Sequence, residues 1–380
     1  MSHALKDVLV VALEQAVAAP IATSRLADAG ARVIKLERPD GDFARGYDDF
    51  ALGQSSYFVW MNRGKESCRV DLNTAEDRAL VETMIAKADV FIQNLAPGAT
   101  DRLGIGSKAL RARYPRLIVC DVSGYAPGTP SYYRKAYDLL IQAEVGLAHI
   151  TGTDLSGPSR VGISICDITT GQAAYGAILE AIIRRDRTGE GSHLQVSLFD
   201  TIADYMNVPY LTRRYGGREP SRLGLAHPSI APYGSFTLKD GSILIAVQSE
   251  REWQILCADV LHDPALAKDE RFDSNVKRVR NRAAVDACVQ KILAERAAAD
   301  VTQDLNNAKI AFGMVSTMGD LLQHQSAVFL PIETEAGTVE VLAPPVIIDG
   351  ERPALGRVPR LGEHDEALRR EFAPAAATAS

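Results

Sequence analysis

The sequence predicts an α/β protein with an open, parallel, Rossmann-like sheet in a large domain and a smaller α+β domain. Three observations lead to the sheet. Short continuous apolar runs recur through the first third of the chain, as strands buried on both faces require. Helix-like segments separate these runs, and that alternation is the pattern of parallel crossover connections. The 380 residues, 46% apolar and 24% charged, suffice for a sizeable core and about two domains.

Val8–Leu13 is the first apolar run. Asp7 and Glu14 border it closely, which fits a strand and not the longer apolar core of a signal peptide. Pro20 suits the first turn of a helix, where its missing N–H costs nothing, and that helix covers about Ile21–Asp28 before Gly30. Val33–Leu36 is the next strand and Arg69–Leu72 a weaker one. Asn73 with Glu76 reads as a capping box for a helix whose apolar stripe is Leu80, Val81, Met84 and Ile85. Val90–Ile92 and Leu117–Val122 complete this set of strands.

Asp138 reads as the N-cap of a helical stretch over Leu139–Leu147. A long Ala-rich helix follows from Gln172 to Arg185, then a turn at Thr188–Ser192 and a strand at His193–Leu198. Composition shifts towards Pro, Gly and His around Pro220–Tyr233, a domain boundary. Ser235–Leu238 and Ser242–Val247 form a hairpin around Lys239-Asp240-Gly241, and a helix covers about Asn281–Ala299. Pro344–Pro359 is irregular, and the low-complexity tail Pro374–Ser380 reads as disordered.

Net charge −6 argues against a nucleic acid or an anionic membrane as partner of the whole surface. The five cysteines are odd in number, far apart and never in C-x-x-C spacing, so free thiols in the cytoplasm are expected. The seven histidines show no metal-ligand spacing, and no metal is expected. No run of about 18 apolar residues is present to span a membrane.

Candidate chemistry lies in the loops. The segment after the first strand, Gln15-Ala-Val-Ala-Ala-Pro20, lacks the G-x-G-x-x-G of a dinucleotide site, and no Walker motif occurs. Arg38, Arg63, Lys65, Arg102, Arg134 and Lys135 occupy loop-like positions after strands, where they are either solvated charges or phosphate ligands. Asn94–Gly98 is adequately explained as turn chemistry. Tyr137 reads locally as a core aromatic. Asp167, in Val161-Gly-Ile-Ser-Ile-Cys-Asp-Ile-Thr-Thr-Gly171, ends a short apolar run and precedes a helix. It is either a helix cap or a nucleophile, and the local residues favour the cap.

Taken together, ordered segments change that balance. They include Leu26–Pro39, Asn62–Lys65, Asn94–Gly98 with Arg102-Leu-Gly104, Lys135–Asp138, Asp167–Gly171, Arg187–Gly191, His227–Tyr233 and Leu361–His364. Over nearly the whole chain the sequence resembles the family III CoA-transferases (CaiB/BaiF type). The resemblance implies that Asp167 is a covalent nucleophile and that Arg38, Val70, Asn73, Asn94, Leu95, Arg102, Lys135 and Tyr137 lie around coenzyme A. Relatives often carry Leu and Lys at the positions of Val70 and Asn73. Where the family has a glutamine near the first strand this chain has Val17, with Gln15 two residues earlier. The resemblance further implies an interlocked homodimer, a large domain over 1–200, a small domain over 225–325, and a segment 326–380 that returns to the large domain.

The implied reaction moves CoA from an acyl-CoA such as succinyl-CoA to a free carboxylic acid, with CoA thioesters as substrates and no permanently bound cofactor. The segments 12–20, 41–47 and 133–138 are most similar to relatives acting on C4–C5 dicarboxylates such as itaconate, mesaconate or citramalate. Arg45 and Arg134 are then candidates for the distal carboxylate. The glycine-rich loop of formyl-CoA transferases is not evident near Ala246–Ser249, which argues against formyl or oxalate specificity. Formyl-CoA or carnitine-type transfer remains an alternative. Acyl-CoA racemases of the same superfamily carry Gly-His-Asp where this chain has Ala136-Tyr137-Asp138. A tyrosine, with an ordinary pKa of ~10, is a poor base at neutral pH, which favours transfer over racemisation. A non-catalytic CoA-binding module is the remaining class. Backbone N–H groups near Asp167 are expected both to hold it ionised and to stabilise oxyanions.

Overall fold

A computed structural model describes residues 4–373. The tail from Pro374 lies outside the described residues. Two compact units are present, one formed by residues up to Ala148, Arg160–Leu211 and Val328 onward, the other by His149–Ser159 and Thr212–Ala327.

The larger unit is built on six parallel strands: β1 (Leu9–Leu13), β2 (Arg32–Glu37), β3 (Lys65–Arg69), β4 (Val90–Gln93), β5 (Ile118–Ser123) and β6 (His193–Ser197). Their spatial order is β3-β2-β1-β4-β5-β6. This is the doubly wound order of a Rossmann fold, and it reverses direction between β1 and β4. The apolar runs are strands because helices cover both faces. Val10, Ala12, Val33, Val90 and Ile92 face one core, and Val11, Ile34, Leu36, Phe91 and Val119 face the other. Leu368 and Phe372, near the end of the chain, fill the second of these cores.

Four helices of this unit bear on the site or its boundaries: α1 (Ala18–Asp28), α2 (Ala75–Lys87), α3 (Asp138–Glu144) and α4 (Ile165–Thr188). Two of these helices and one strand differ from expectation. The cap of α2 is Thr74, whose hydroxyl accepts the Asp77 N–H, while Asn73 turns its amide to Asp71. Helix α4 starts seven residues before the Ala-rich stretch, so Val161–Ser164 is not a strand and Asp167 lies inside the first helical turn. The third strand falls at Lys65–Arg69, earlier than its apolar tail suggested, because pairing with β2 sets its register.

The smaller unit contains the expected hairpin, Tyr233–Leu238 with Gly241–Ala246, and an edge strand Ala311–Gly313. Trp253, Phe272, Val289 and Leu305 fill its core. The single helix expected over Asn281–Ala299 is two, Arg282–Leu293 and Ala298–Ala308, broken where Ala297 is extended. No helix among the described residues is long and apolar enough to cross a membrane.

Candidate active site

In an open α/β sheet a ligand crevice forms outside the carboxyl ends of the strands, where the strand order reverses. Here that point lies between the loops after β1 and β4. A cavity of about 690 Å³ opens there, lined by Gln15–Ala18, Asn94–Pro97, Lys135–Asp138 and Asp167. A second, of about 380 Å³, shares Gln15 and Leu95 with it and adds Arg38, Val70 and Asn73. Both volumes fall in the range of small-molecule sites.

The β1 loop is held from two sides. Asn94 brackets Gln15: its Oδ1 accepts the Gln15 N–H (2.9 Å) and its Nδ2 donates to the Gln15 carbonyl (2.7 Å). Ala16 adopts a left-handed backbone, φ 63°, and its N–H donates to Asp42 Oδ1 (3.1 Å). Asp42 in turn pairs with the buried Lys35 at 2.8 Å. Beneath lie Glu14 and Lys65, also buried and 2.7 Å apart. Burial opposes ionisation of Glu14, but Lys65 and Lys35 outweigh it and hold its carboxyl below the usual range.

Asp167 is reached through α4. Gly171 sits one turn further along, where a Cβ would come within 2.5 Å of the Ala18 carbonyl oxygen and 2.6 Å of Ile21. Only glycine lets α4 press this closely on the start of α1, which brings Asp167 beside the β1 loop. The hydroxyls of Thr169 and Thr170 donate back to the carbonyls of Ile165 and Cys166, within the helix.

The expectation that helix N–H groups would lower the Asp167 pKa is overturned. Those donors belong to another acid: Asp138 Oδ1 accepts the N–H of Cys166 (2.7 Å) and of Asp167 (3.3 Å). Asp138 is therefore not the cap of its own helix but that of α4. Among the described residues no donor bonds the Asp167 carboxylate. Burial, and after it the Asp138 carboxylate, push Asp167 up to about 7.

The expected site residues separate into groups. Gln15, Asn94, Leu95, Arg134, Lys135 and Tyr137 line the cavity with Asp167. Tyr137 is 66% exposed there and is not a core aromatic. Arg38, Val70 and Asn73 line the adjoining cavity. Arg102 ends the short helix Ala99–Arg102 and lines neither. Arg45 is committed elsewhere: it grips Glu37 through two 2.8 Å bonds, lies 3.8 Å over the Phe58 ring, and lines a different cavity. Arg134 pairs with Glu144 at 2.6 Å. Of the other basic residues expected in loops, Arg63 and Lys65 are buried and paired with Asp28 and Glu14, and Lys65 opens strand β3.

Sequence reasoning missed Arg160, Tyr47 and Tyr57, which line the Asp167 cavity. Tyr57 Oη lies 3.1 Å from Ser164 Oγ. Arg160 has no carboxylate partner among the described residues and donates only to the Val161 carbonyl. No local pattern marks these residues, because they come from separate segments: Tyr47 follows the short turn Phe43–Gly46, Tyr57 lies in the helix Ser56–Met61, and Arg160 lies in a loop.

This is the geometry of an α/β enzyme with its ligand crevice at the switch point, and similarity to known proteins says which class: a CoA-transferase. The chain belongs to CoA-transferase family III, whose model matches residues 5–365. It is 35% identical to an acetyl-CoA:oxalate CoA-transferase of Acetobacter aceti, covering 96% of this chain and 95% of the relative. It is 31% identical to the succinyl-CoA:glutarate CoA-transferase of Mus musculus, covering 97% and 86% respectively. The crystal structure of a CaiB/BaiF family protein from Brucella suis superposes with a TM-score of 0.83 at 33% identity, covering 98% of this chain and all of that one.

Proposed function

We propose that the protein transfers CoA from an acyl-CoA, such as succinyl-CoA, to a short dicarboxylic acid through covalent intermediates on Asp167. One observation carries the reading: a carboxylate with no bonded donor faces a cavity at the sheet's switch point. Asp167 attacks the thioester carbonyl, the C–S bond breaks, and an acyl-aspartyl anhydride forms. CoA thiolate then attacks the aspartyl carbonyl and releases the donor acid, leaving an aspartyl-CoA thioester. The acceptor carboxylate attacks this thioester and expels thiolate. The thiolate takes the new acyl group from the anhydride, and Asp167 is free again. Each step exchanges one activated acyl bond for another, so one difficult exchange becomes several easier ones.

The oxyanions require donors. The start of α4 is a poor source, because Asp138 occupies its N–H groups. The first turn of α1 suits better: no side chain caps it, and Val17 and Ala18 lie on the cavity wall. Arg38, Val70, Asn73 and Leu95 suit the nucleotide end of CoA, and Lys135 and Tyr137 the reacting end; Arg102 would have to act from outside both cavities. For the distal carboxylate, Arg160 joins Arg134 as a candidate, while Arg45 is ill placed. The dicarboxylates named for the two relatives, oxalate and glutarate, support this substrate class and leave its length between C2 and C5. The C4–C5 acids are favoured by the segment resemblances, oxalate by the most identical of these relatives. Tyr137 in place of a histidine disfavours the racemase reading. A cytoplasmic homodimer of interlocked chains accompanies the proposal.

The test is mass spectrometry of the enzyme mixed with succinyl-CoA. A CoA adduct on Asp167, and its loss together with all transfer in Asp167→Asn, is the expected result. Full activity in that variant would end the mechanism. A panel of oxalate, glutarate, mesaconate and itaconate as acceptors identifies the substrate length.

A further inference from the structure

The segment that carries Asp167 is tied down by side chains of a different helix. Asp138 and Gln142 stand one turn apart on α3, and both are buried. Asp138 Oδ1 accepts the N–H groups of Cys166 and Asp167, while its Oδ2 accepts the Gln142 Nε2 at 2.7 Å. Gln142 Oε1 accepts the N–H of Val161 at 2.9 Å. Two side chains thus clamp both ends of the stretch 161–167. The residue in the N-cap position of α4, Ser164, makes no cap bond of its own. A hydroxyl that would serve as a local cap is passed over for a buried carboxylate from far away in sequence.

We propose that Asp138 and Gln142 are positioning residues for group transfer: by occupying the N–H groups at the start of α4 and fixing the stretch before it, they keep the Asp167 carboxylate turned to the cavity with both oxygens free. The proposal rests on Asp167 being the nucleophile. Asp167 is the third residue of α4, where an acidic side chain is drawn back to the helix's own free N–H groups and dipole. An acid bonded in that way is less nucleophilic and points away from the substrate. With those donors taken by Asp138, that conformation loses its reward. Gln142 completes the arrangement: its amide satisfies the second Asp138 oxygen and extends the hold to Val161.

The clamp has a matched repair. Asp138→Asn keeps one oxygen for Cys166 and Asp167 but turns an amide NH2 against the NH2 of Gln142, two donors face to face. Adding Gln142→Glu puts a carboxylate opposite that NH2, with an oxygen left for the Val161 N–H, so every donor again meets an acceptor. The experiment measures kcat, KM for succinyl-CoA, thermal unfolding, and the single-turnover rate of CoA-adduct formation on Asp167. Asp138→Ala is expected to lower kcat and adduct formation by ~100-fold, the scale for a misplaced reacting group, with KM little changed. Asp138→Asn falls less far, and the double variant recovers ~10-fold over that single change. If Asp138→Ala does not fold, the comparison of Asp138→Asn with the double variant decides. A purely structural role would lower thermal stability while kcat per folded enzyme and the adduct rate stayed at the unmodified values, and that outcome overturns the clamp. Absence of any adduct in the unmodified enzyme instead overturns the nucleophile on which it depends.

Discussion

Two groups of acids in the larger unit show what a buried carboxylate is for. Glu14, Glu37 and Asp42 lie under the β1 loop, and each has a cation: Lys65, Arg45 and Lys35 at 2.7–2.8 Å. Arg45 and Lys35 overcome the burial of Glu37 and hold it down at about 2. Asp138 and Asp167 lie across the cavity, with backbone N–H donors for one and none for the other, and Asp167 rises to about 7. Paired acids fix backbone, as Asp42 fixes Ala16. Asp167, denied both cation and donor, fixes no backbone, and perturbed groups of this kind in clefts are candidates for functional sites.

The largest expected effect would break the paired side. Glu14→Ala leaves the buried Lys65 without an ion-pair partner among the described residues and Lys35 with Asp42 alone at ion-pair distance, and should cost about 3–5 kcal/mol in denaturant unfolding, the scale for a broken buried pair. Unfolding unchanged within error would show that the network carries no stability.

The unpaired side is probed by pH. The proposed mechanism requires ionised Asp167, so kcat is expected to rise with pH through about 7. For stability the sign reverses. Between the ordinary value of 3.8 and about 7 the native state holds a proton that the unfolded state has lost, so Asp167 makes stability fall as pH rises across that window. Asp167→Asn should therefore be more stable than the unmodified protein above pH 7, by on the order of 1 kcal/mol for a group that is only partly buried, and equal to it below pH 4. Glu37 behaves oppositely: its contribution is present above the ordinary 4.5 and is lost as pH falls towards 2. Thermal unfolding of the unmodified protein and Asp167→Asn from about pH 4 to 8 tests the first sign, and of the unmodified protein and Glu37→Gln from about pH 2 to 5 the second.

The smallest effect separates the arginines. Arg160→Ala and Arg134→Ala should weaken dicarboxylates over monocarboxylates by ~10-fold in kcat/KM, about one charge-assisted bond. Arg45→Ala should affect both classes alike, because its guanidinium serves Glu37. Equal losses for both substrate types at Arg134 and Arg160 would remove them from distal-carboxylate recognition.

The apolar runs at Val8–Leu13, Val33–Leu36, Val90–Ile92 and Leu117–Val122 made the parallel sheet legible, since strands buried on both faces leave a pattern within a few neighbouring residues. Asp167 stood out as a candidate nucleophile only through the ordered segments of the whole chain; its local surroundings favoured a cap. The sequence by itself thus determined the α/β class, the family and the acid on which the proposal rests. Tertiary structure alone decided that Asp138 caps α4, that Arg45 belongs to Glu37, that Arg160 shares the cavity, and that Asp167 titrates high and not low. The reason is one of range. Strand and helix patterns arise from neighbouring residues, whereas a carboxylate's charge state and partners depend on groups brought near it by folding. Asp138 lies 29 positions from Asp167, a separation no local pattern can span.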